Sequence, residues 1–460
     1  MTGWDAARIA EAAGARLRAD RAGSGPDRAV IDSREAGPGA LFIGLAGTQV
    51  NGSEFAAQAL ANGAWGVLID ESHAAELRPD SLCGGAVLAA AEPLRALQDL
   101  ATAWRRRLGA QVIGVTGSTG KTSTKDLLLA LLAHQRRTVA SRANYNTEIG
   151  LPLEILAAPE GTEILVLEMA MRGAGQIAEL AAIAEPEVGV IVNVGPVHLE
   201  LLGTIEAVAA AKAELIAALP PSGVAVVPAS EPLLDPHLRS DLRTLRFGRG
   251  GEVELRQAQD GEVEIDLVGR RIRLQIPFTQ AHLRSNLLAA AAAAWAVGVV
   301  PQGRVELTLA PGRGQRVPVA DDVILIDDCY NANPMSMRAA LQDLADTAER
   351  EQRPRRVAVL GDMLELGPRE DEFHAALGPL AEAAGVDVLV SVGPRAAAIG
   401  ESFGGETQAV ADAAQAAELV PGLLRPGDIV LVKGSRGVGL ELVCGALRSA
   451  AAPTAPGASR

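Results

Sequence analysis

A glycine-rich turn between a strand and a helix constrains this chain more than any other part of its sequence. The apolar run at residues 112–115 leads into residues 117–122, of sequence Gly-Ser-Thr-Gly-Lys-Thr. Backbone N–H groups in such a turn close on phosphate oxygens, and the dipole of the following helix favours negative charge. The pattern predicts a nucleotide-binding phosphate loop in which Lys121 reaches the β- and γ-phosphates and the Thr122 hydroxyl binds Mg²⁺. Val115 stands where the strict pattern has its first glycine, so an ordinary glycine-rich turn is the alternative.

The spacing of apolar runs predicts an α/β fold. After residues 112–115, apolar runs recur at 164–167 and 188–192, with helical patterns between them. Strands that alternate with helices form a parallel sheet with helices on both faces, and such sheets bind ligands beyond the carboxyl ends of the strands. Further strands are predicted at residues 40–45, 65–70, 323–326, 357–360, 386–390 and 429–432, and further helices at 55–62 and 93–108. The predicted domains are residues 1–105, 106–311 and 312–450, followed by a disordered tail at 451–460.

Charge and cysteine content exclude several classes of protein. The formal net charge is −14, whereas a broad nucleic-acid-binding surface needs a basic stripe. The three cysteines are far apart and form no Cys-x-x-Cys, which argues against a disulfide framework or a zinc site and favours a reducing cytosol. The longest apolar run, 14 residues at 287–300, is shorter than the roughly 20 that span a bilayer. We therefore expect a cytoplasmic enzyme that neither binds nucleic acid nor inserts into a membrane. We also expect a monomer.

Three residues after the central strands are candidate metal ligands. Glu168 ends the second of these strands and His198 follows the third. Either side chain would suit a metal ion, but a solvated glutamate and an unligated loop histidine are the alternatives. Lys212 lies on the apolar stripe of a predicted helix at 204–219. Such a lysine either extends to solvent, the commoner outcome, or is buried with a lowered pKa, and a neutral amine can react with CO₂ to give a carboxylate-like carbamate.

Polar clusters follow three strands of the predicted third domain. They lie at residues 327–334 (Asp-Asp-Cys-Tyr-Asn-Ala-Asn-Pro), 361–367 (Gly-Asp-Met-Leu-Glu-Leu-Gly) and 433–437 (Lys-Gly-Ser-Arg-Gly). Turn chemistry explains the Asn-Pro pair of the first cluster but not the two aspartates and the tyrosine before it. Arg313 lies at the predicted junction of the second and third domains, where it would reach ATP phosphates. These clusters predict a ligand site at this end of the third sheet.

This set of motifs resembles the Mur ligase family over nearly the whole chain. The phosphate loop, Glu168, His198 and the segments 144–152 and 211–214, which includes Lys212, are similar to the family's nucleotide and metal motifs. The segments 328–334 and 361–367 resemble the D-alanyl-D-alanine-adding members, 433–436 resembles the C-terminal motif, and 32–34, 38–42 and 44–47 resemble the uridine-nucleotide domain.

Two segments depart from the family pattern. Residues 51–53 read Asn-Gly-Ser where the family usually has Asp-Gly-His, within the uridine pocket. Residues 282–286 read His-Leu-Arg-Ser-Asn where the adenine segment usually reads His-Asn-x-x-Asn. Since a leucine makes no amide contacts, only Asn286 is carried over for adenine.

The resemblance implies an ATP- and Mg²⁺-dependent ligase that joins D-alanyl-D-alanine to UDP-N-acetylmuramoyl-tripeptide through an acyl phosphate, in peptidoglycan synthesis. It implies a small N-terminal UDP-substrate domain, a central ATP-binding domain and a C-terminal Rossmann-like domain. Catalytic roles are implied for Lys121, Lys212 and His198, and metal binding for Thr122, Glu168, His198 and carbamylated Lys212. The implied nucleotide-binding residues are Gly117, Ser118, Thr119, Gly120, Lys121, Thr122, Ser123, Asn146, Asn286, Arg313 and Tyr330. The implied substrate-binding residues are Ser33, Arg34, Asp328, Asn331 and Asn333.

Two alternatives stay open at this point. Another ligase of the same family would add a diamino acid or glutamate, but the diamino-acid-adding member typically carries Asp-Asn-Pro-Arg, and this chain has no such run. A nucleotide-dependent switch would use the phosphate loop alone and would leave the clusters at 328–334 and 361–367 without a role.

Overall fold

Two compact units make up the described part of the chain. The computed structural model describes residues 1, 3–20, 24–78, 82–142, 144–319 and 322–450, so the tail predicted at 451–460 lies outside the described residues. The first unit comprises Met1–Val192, Ala210–Pro277 and Ser285–Val305. The second comprises Asn193–Ala209, Phe278–Arg284 and the chain from Glu306 onward.

The N-terminal sheet has five strands in the order β1-β5-β4-β3-β2. Its strands are β1 (Arg16–Ala19), β2 (Arg28–Val30), β3 (Ala40–Ile43), β4 (Gly66–Asp70) and β5 (Ala86–Ala90), and the helices beside them are α1 (Ala6–Ala12), α2 (Ala56–Ala61) and α3 (Glu71–Glu76). All pairings are parallel except that of β1 with β5. The strands predicted at 40–45 and 65–70 are confirmed. The helix predicted at 55–62 is also confirmed, and a 3₁₀ turn at Gly52–Phe55 leads into it.

Helix α4 (Pro93–Leu108) has the bounds predicted for it. Pro93 lies in its first turn, where the missing N–H costs no hydrogen bond, and Gly109 ends it with a positive φ of 63°. The predicted boundary after residue 105 falls inside this helix. The domain boundaries therefore stay predictions.

The central sheet has ten strands in the order β15-β14-β13-β12-β11-β10-β9-β6-β8-β7. They are β6 (Gln111–Thr116), β7 (Thr138–Ala140), β8 (Ile164–Glu168), β9 (Val188–Ile191), β10 (Val224–Pro228), β11 (Arg243–Phe247), β12 (Val253–Gln259), β13 (Glu262–Leu267), β14 (Arg270–Gln275) and β15 (Gly303–Arg304). The helices of this stretch are α5 (Lys121–Leu132), α6 (Gly150–Ala157), α7 (Gln176–Ala184), α8 (Leu199–Leu202), α9 (Ile205–Ala217) and α10 (Ala281–Ala296). From β7 to β11 the pairing is parallel, as predicted.

The antiparallel part of this sheet was not predicted. β12, β13 and β14 pair antiparallel, so the central sheet is mixed rather than purely parallel. Asp260-Gly261 joins β12 to β13, and Val268-Gly269 joins β13 to β14; all four residues have positive φ. Two-residue turns of that kind match the twist of an antiparallel pair.

The C-terminal sheet has six strands in the order β16-β17-β21-β18-β19-β20, and only β16 is antiparallel to its neighbour. Its strands are β16 (Gln315–Pro318), β17 (Ile324–Asp327), β18 (Arg356–Gly361), β19 (Val388–Val392), β20 (Glu406–Val410) and β21 (Ile429–Lys433). Its helices are α11 (Pro334–Arg350), α12 (Glu370–Ala375), α13 (Leu377–Ala383), α14 (Ala397–Glu401), α15 (Ala413–Leu423) and α16 (Glu441–Ala450). Apolar clusters cover both faces. The four predicted strands are confirmed as β17, β18, β19 and β21, whereas β16 and β20 were missed.

The predicted three-domain α/β architecture is therefore confirmed. Among the described helices, none is both long and apolar enough to cross a membrane.

Candidate active site

The phosphate loop lies between β6 and α5, as the sequence predicts. Gly120 precedes α5 with a φ of 75°, a conformation that only glycine adopts without strain. The Lys121 ammonium donates to the carbonyl of Gly117 at 2.9 Å, so its side chain folds back across the loop. The buried Thr116 hydroxyl at the end of β6 has no hydrogen-bond partner among the described residues. An orphaned donor and a lysine at a helix N-terminus suit a phosphate group.

Gly120 touches another predicted site residue, Asn286, which is 5% exposed on α10. A Cβ at position 120 would lie 2.8 Å from both amide atoms of Asn286. The amide thus packs directly against the phosphate loop, next to where nucleotide phosphates would lie. This placement does not test the adenine contact predicted for Asn286.

We expect Gly120→Ala to weaken ADP binding by at least about tenfold, because the new methyl group pushes the loop off Asn286 and strains the backbone. Isothermal titration with ADP measures the affinity. Gly298→Ala is the matched control, since Gly298 has a φ of 78° but no atom within 4 Å of the added Cβ. The control should lose stability and keep ADP affinity. Equal ADP affinities for both variants would contradict the packing role of Gly120.

Glu168, at the end of β8, hydrogen-bonds to several polar groups around the phosphate loop. Its carboxylate accepts from the Thr122 hydroxyl at 2.8 Å and from the Asn146 amide at 2.8 Å. Its backbone N–H donates to the Ser141 hydroxyl at 3.0 Å, and the side chain is buried at 2% exposure. The structure therefore brings together three predicted site residues. Their carboxylate, hydroxyl and amide oxygens are the ligands that a hard divalent cation such as Mg²⁺ prefers.

The sequence did not single out Lys125, in α5, which lies buried close to these candidate site residues. Its ammonium is buried, donates to the carbonyl of Ser141 at 2.7 Å and pairs with Asp126 at 2.8 Å. Because the Ser141 hydroxyl accepts from the backbone N–H of Glu168, Lys125 helps to fix the position of Glu168 through its hydrogen bond to Ser141. Its position four residues after Lys121, on the same helix face, was the available signal.

Lys212 is buried within α9, at 2% exposure. Of the two outcomes left open, the buried one is correct. Burial lowers the pKa of Lys212 well below its usual value, and the positive charge of Lys121 lowers it further. The neutral amine is the form that reacts with CO₂.

His198 lies in the second compact unit, although it follows β9 of the central sheet by only a few residues. It precedes α8 with a positive φ of 53°. Its Nδ1 lies 2.5 Å from a carboxylate oxygen of Glu365, in the 361–367 cluster. His198 thus contacts the 361–367 cluster, a contact that the sequence did not predict.

The other polar clusters of the second unit form a connected network. Asp328 pairs with the buried ammonium of Lys433 at 2.7 Å, and that ammonium also donates to the carbonyl of Asn331 at 2.9 Å. The guanidinium of Arg313 lies 4.0 Å from the centre of the Tyr330 ring, and that of Arg436 lies 5.3 Å from it. Two guanidinium groups around one aromatic ring make an electropositive surface that suits phosphates or a base.

Asn333 has a structural role that the substrate prediction did not include. Its side chain accepts from the backbone N–H of Ser336, and the Ser336 hydroxyl accepts from the backbone N–H of Asn333. This reciprocal pair is a capping box at the start of α11.

Asn333→Ala should therefore lower the free energy of unfolding of this domain by about 1 kcal/mol, the usual cost of removing an N-cap. Thermal and urea unfolding measure it. Asn333→Asp keeps a capping oxygen and should stay near the wild-type stability. A wild-type melting curve for Asn333→Ala would contradict the capping role.

Ser33 and Arg34 lie in the N-terminal domain, in a 3₁₀ turn at Ser33–Glu35. Arg34 is exposed and pairs with Asp32 at 2.6 Å. Hydrogen bonds from Arg34 lower the pKa of Asp32 to about 2. The 51–53 segment departs from the usual family sequence. Its Asn51 side chain donates to Asp70 at 3.1 Å and caps the following 3₁₀ turn, so Asn51 stabilises the local structure.

Comparison with known proteins identifies the family of the chain. The Mur ligase family catalytic domain matches residues 29–105, the Mur ligase middle domain matches 115–294, and the Mur ligase glutamate ligase domain matches 312–436. The UDP-N-acetylmuramoyl-tripeptide–D-alanyl-D-alanine ligase of Synechocystis is 38% identical over 423 residues and covers 90% of each chain. The ligase of the same name from Mycobacterium tuberculosis is 40% identical over 468 residues and covers 91% of each chain.

Solved structures extend the likeness to the fold. MurF from Acinetobacter baumannii has a TM-score of 0.85 and 29% identity, over 97% of this chain and 99% of that one. MurF ligase from Thermotoga maritima in complex with ADP has a TM-score of 0.79 and 30% identity, over 92% of this chain and 97% of that one. Since the similarity extends through all three domains, the chain belongs to the Mur ligase family, among the UDP-N-acetylmuramoyl-tripeptide–D-alanyl-D-alanine ligases.

Proposed function

We propose that this protein joins D-alanyl-D-alanine to UDP-N-acetylmuramoyl-tripeptide with the hydrolysis of ATP, which produces the pentapeptide precursor of peptidoglycan. One observation carries the chemical part: the Lys121 ammonium and the Thr122–Glu168 pair meet at one phosphate loop beside the buried Lys212. The relatives named above, similar over about nine-tenths of both chains, support the choice of dipeptide.

The phosphate loop binds and orients ATP in this proposal. Backbone N–H groups of residues 117–122 hold the phosphates at the N-terminus of α5, and Lys121 neutralises charge on the transferring γ-phosphoryl group. The tripeptide carboxylate attacks that group and forms an acyl phosphate. The amine of D-alanyl-D-alanine then attacks the acyl carbon, and phosphate leaves. Much of the acceleration comes from positioning two anionic reactants next to each other.

Magnesium fits the side chains at the loop. Thr122 and Glu168 would hold one ion, with Asn146 fixing the orientation of the Glu168 carboxylate. Carbamylated Lys212 and His198 would hold the second. Bound Mg²⁺ would neutralise charge on the phosphate oxygens. Burial favours the neutral form of Lys212 by lowering its pKa, and the neutral amine is the form that reacts with CO₂ to give the carbamate.

We assign the remaining predicted residues by their positions. Ser118, Thr119 and Ser123 lie in or beside the loop and Asn286 packs against it, which supports a nucleotide-binding role for these four residues. Arg313 and Tyr330, which stack on each other, would contact the ATP phosphates and the nucleoside. Ser33 and Arg34 would bind the UDP moiety in the domain at 1–105. Asp328, Asn331 and Asn333 would lie near the dipeptide in the domain at 312–450, with ATP held by the domain at 106–311. We further propose that the protein is a monomer and that it is cytoplasmic; the three free cysteines are in keeping with a reducing compartment.

Isotope transfer tests the acyl-phosphate step. UDP-tripeptide carrying ¹⁸O in its reacting carboxylate should deliver one ¹⁸O atom to each phosphate released, because that oxygen bridges carbon and phosphorus in the intermediate. Mass spectrometry of the phosphate measures the transfer. Unlabelled phosphate together with labelled peptide product would contradict the proposed step.

A further inference from the structure

The 361–367 segment has no role in the reaction described so far, yet it contacts a proposed metal ligand. Glu365 lies with a carboxylate oxygen 2.5 Å from Nδ1 of His198, and the two residues are 167 positions apart in the chain. His198 follows a central strand and Glu365 follows a strand of the C-terminal sheet. This contact therefore joins two motifs of different predicted domains.

The backbone around this contact is unusually constrained. Both His198, with a φ of 53°, and Glu365, with a φ of 64°, adopt the left-handed conformation that non-glycine residues rarely take. Gly367 presses against Glu200, because a Cβ on Gly367 would lie 3.2 Å from the Glu200 Cα. The Glu200 N–H also donates to the carbonyl of Glu365 at 3.4 Å. Strained residues on both sides of one contact indicate that the surrounding structure holds the His198 ring against the Glu365 carboxylate.

The chemistry of the pair determines the tautomer of the histidine. An ionised carboxylate only accepts hydrogen bonds, so Nδ1 must carry the proton in the contact with Glu365. In the neutral ring, Nε2 then carries the lone pair that ligates a metal. A carboxylate behind a metal-binding histidine fixes both the tautomer and the orientation of the ring, and its loss typically lowers metal affinity or activity 10- to 100-fold.

We propose that Glu365 is a positioning residue that holds His198 in the tautomer and orientation needed for metal binding. The inference rests on the proposed function, in which His198 is a metal ligand. It gives the 361–367 segment a role in assembling the metal site, since the C-terminal domain supplies the carboxylate and the segment after β9 supplies the imidazole.

Two measurements on the full-length protein test this inference. Nitrogen-15 spectra of labelled histidine at pH about 8, where an ordinary imidazole is neutral, report the tautomer of each ring, and His198→Gln identifies the signal of His198. Electron paramagnetic resonance of Mn²⁺ in the presence of ADP reports metal affinity without turnover. The variants are Glu365→Ala and Glu365→Gln, the second of which keeps an acceptor oxygen. The matched control is Glu372→Ala, which removes an exposed glutamate paired with Arg369.

The wild type should show His198 protonated on Nδ1. Glu365→Ala should shift this signal toward the Nε2-protonated form and weaken Mn²⁺ binding by about 10- to 100-fold, while Glu365→Gln retains most of both properties. Glu372→Ala should match the wild type. If Mn²⁺ affinity is unchanged in Glu365→Ala but falls in His198→Gln, the positioning role of Glu365 is overturned and the proposed metal role of His198 stands. Unchanged Mn²⁺ affinity in His198→Gln would overturn both the inference and the proposed metal role of His198.

Discussion

Replacing Lys121 by Met is expected to lower kcat by about 10²- to 10³-fold, with a small effect on folding. The Lys121 side chain is partly exposed and hydrogen-bonds to the loop carbonyl of Gly117, so its replacement by Met does not disturb a buried apolar core. In the proposed function, Lys121 is the cation that faces the developing charge of the transferring phosphoryl group, and removal of one such group typically costs this much in rate.

Steady-state kinetics with saturating ATP, beside a thermal melt of the same protein, separate these two effects for Lys121→Met. Arg270→Met serves as the control, because Arg270 is an exposed cation on β14. The control should keep the wild-type kcat. A Lys121→Met enzyme with a kcat within a few-fold of the wild type would contradict the assigned role of Lys121 in phosphoryl transfer.

Replacing Lys212 by Met should have two opposite effects: kcat falls by about 10²-fold or more, and stability at pH 7 rises. The activity falls because Met cannot form a carbamate and so supplies no oxygen ligand for a metal ion. Stability rises because the folded protein holds a buried amine whose pKa is lowered, mainly by desolvation. Met fits the same apolar surroundings without that penalty.

The pH dependence of the stability gain has a definite sign. Between its lowered folded-state pKa and the unfolded-state pKa of about 10.4, the unfolded chain binds a proton at Lys212 that the folded chain does not. Within this window the wild-type free energy of unfolding rises with pH, up to about 10.4, and Lys212→Met lacks this rise. In CO₂- and metal-free buffer at pH 7, the variant should melt at least about 2 °C higher, and the difference should shrink as the pH approaches 10.

Small carboxylates provide a further check on Lys212. Formate or acetate can enter the space left by a truncated side chain and replace the carbamate oxygens, so either should restore part of the activity of Lys212→Ala. Chloride at equal ionic strength is the control. Full activity of Lys212→Ala without any additive would contradict the carbamate assignment.

Local pattern explains which parts of the fold and of the site the sequence could predict. Strands that follow one another with helices between them leave a period in the sequence, and their carboxyl ends place Thr122 and Glu168 together. The helical spacing of apolar residues around Lys212 gave burial of this lysine as one of two possible outcomes, and Lys212 is buried in the structure. The antiparallel hairpins at 253–275 were also accessible, because Asp260-Gly261 lies between two alternating apolar runs.

Contacts between distant segments explain what the sequence did not reveal. The contact between Glu365 and His198 depends on how two loops pack against each other. The local sequence pattern of either loop does not predict that packing. The use of Asn333 as a helix cap competes with a ligand role that the same motif implies. Lys125 was overlooked because a lysine early in a helix usually lies in solvent, whereas here it is buried against Ser141.

Phosphate release from ATP, measured with UDP-muramoyl-tripeptide, D-alanyl-D-alanine and Mg²⁺ each omitted in turn, tests the central claim most directly. The proposed function predicts sustained release only when all components are present, with UDP-muramoyl-pentapeptide appearing by mass in equal amount. Release that continues at the same rate without D-alanyl-D-alanine, or that depends instead on a diamino acid or glutamate, would contradict it.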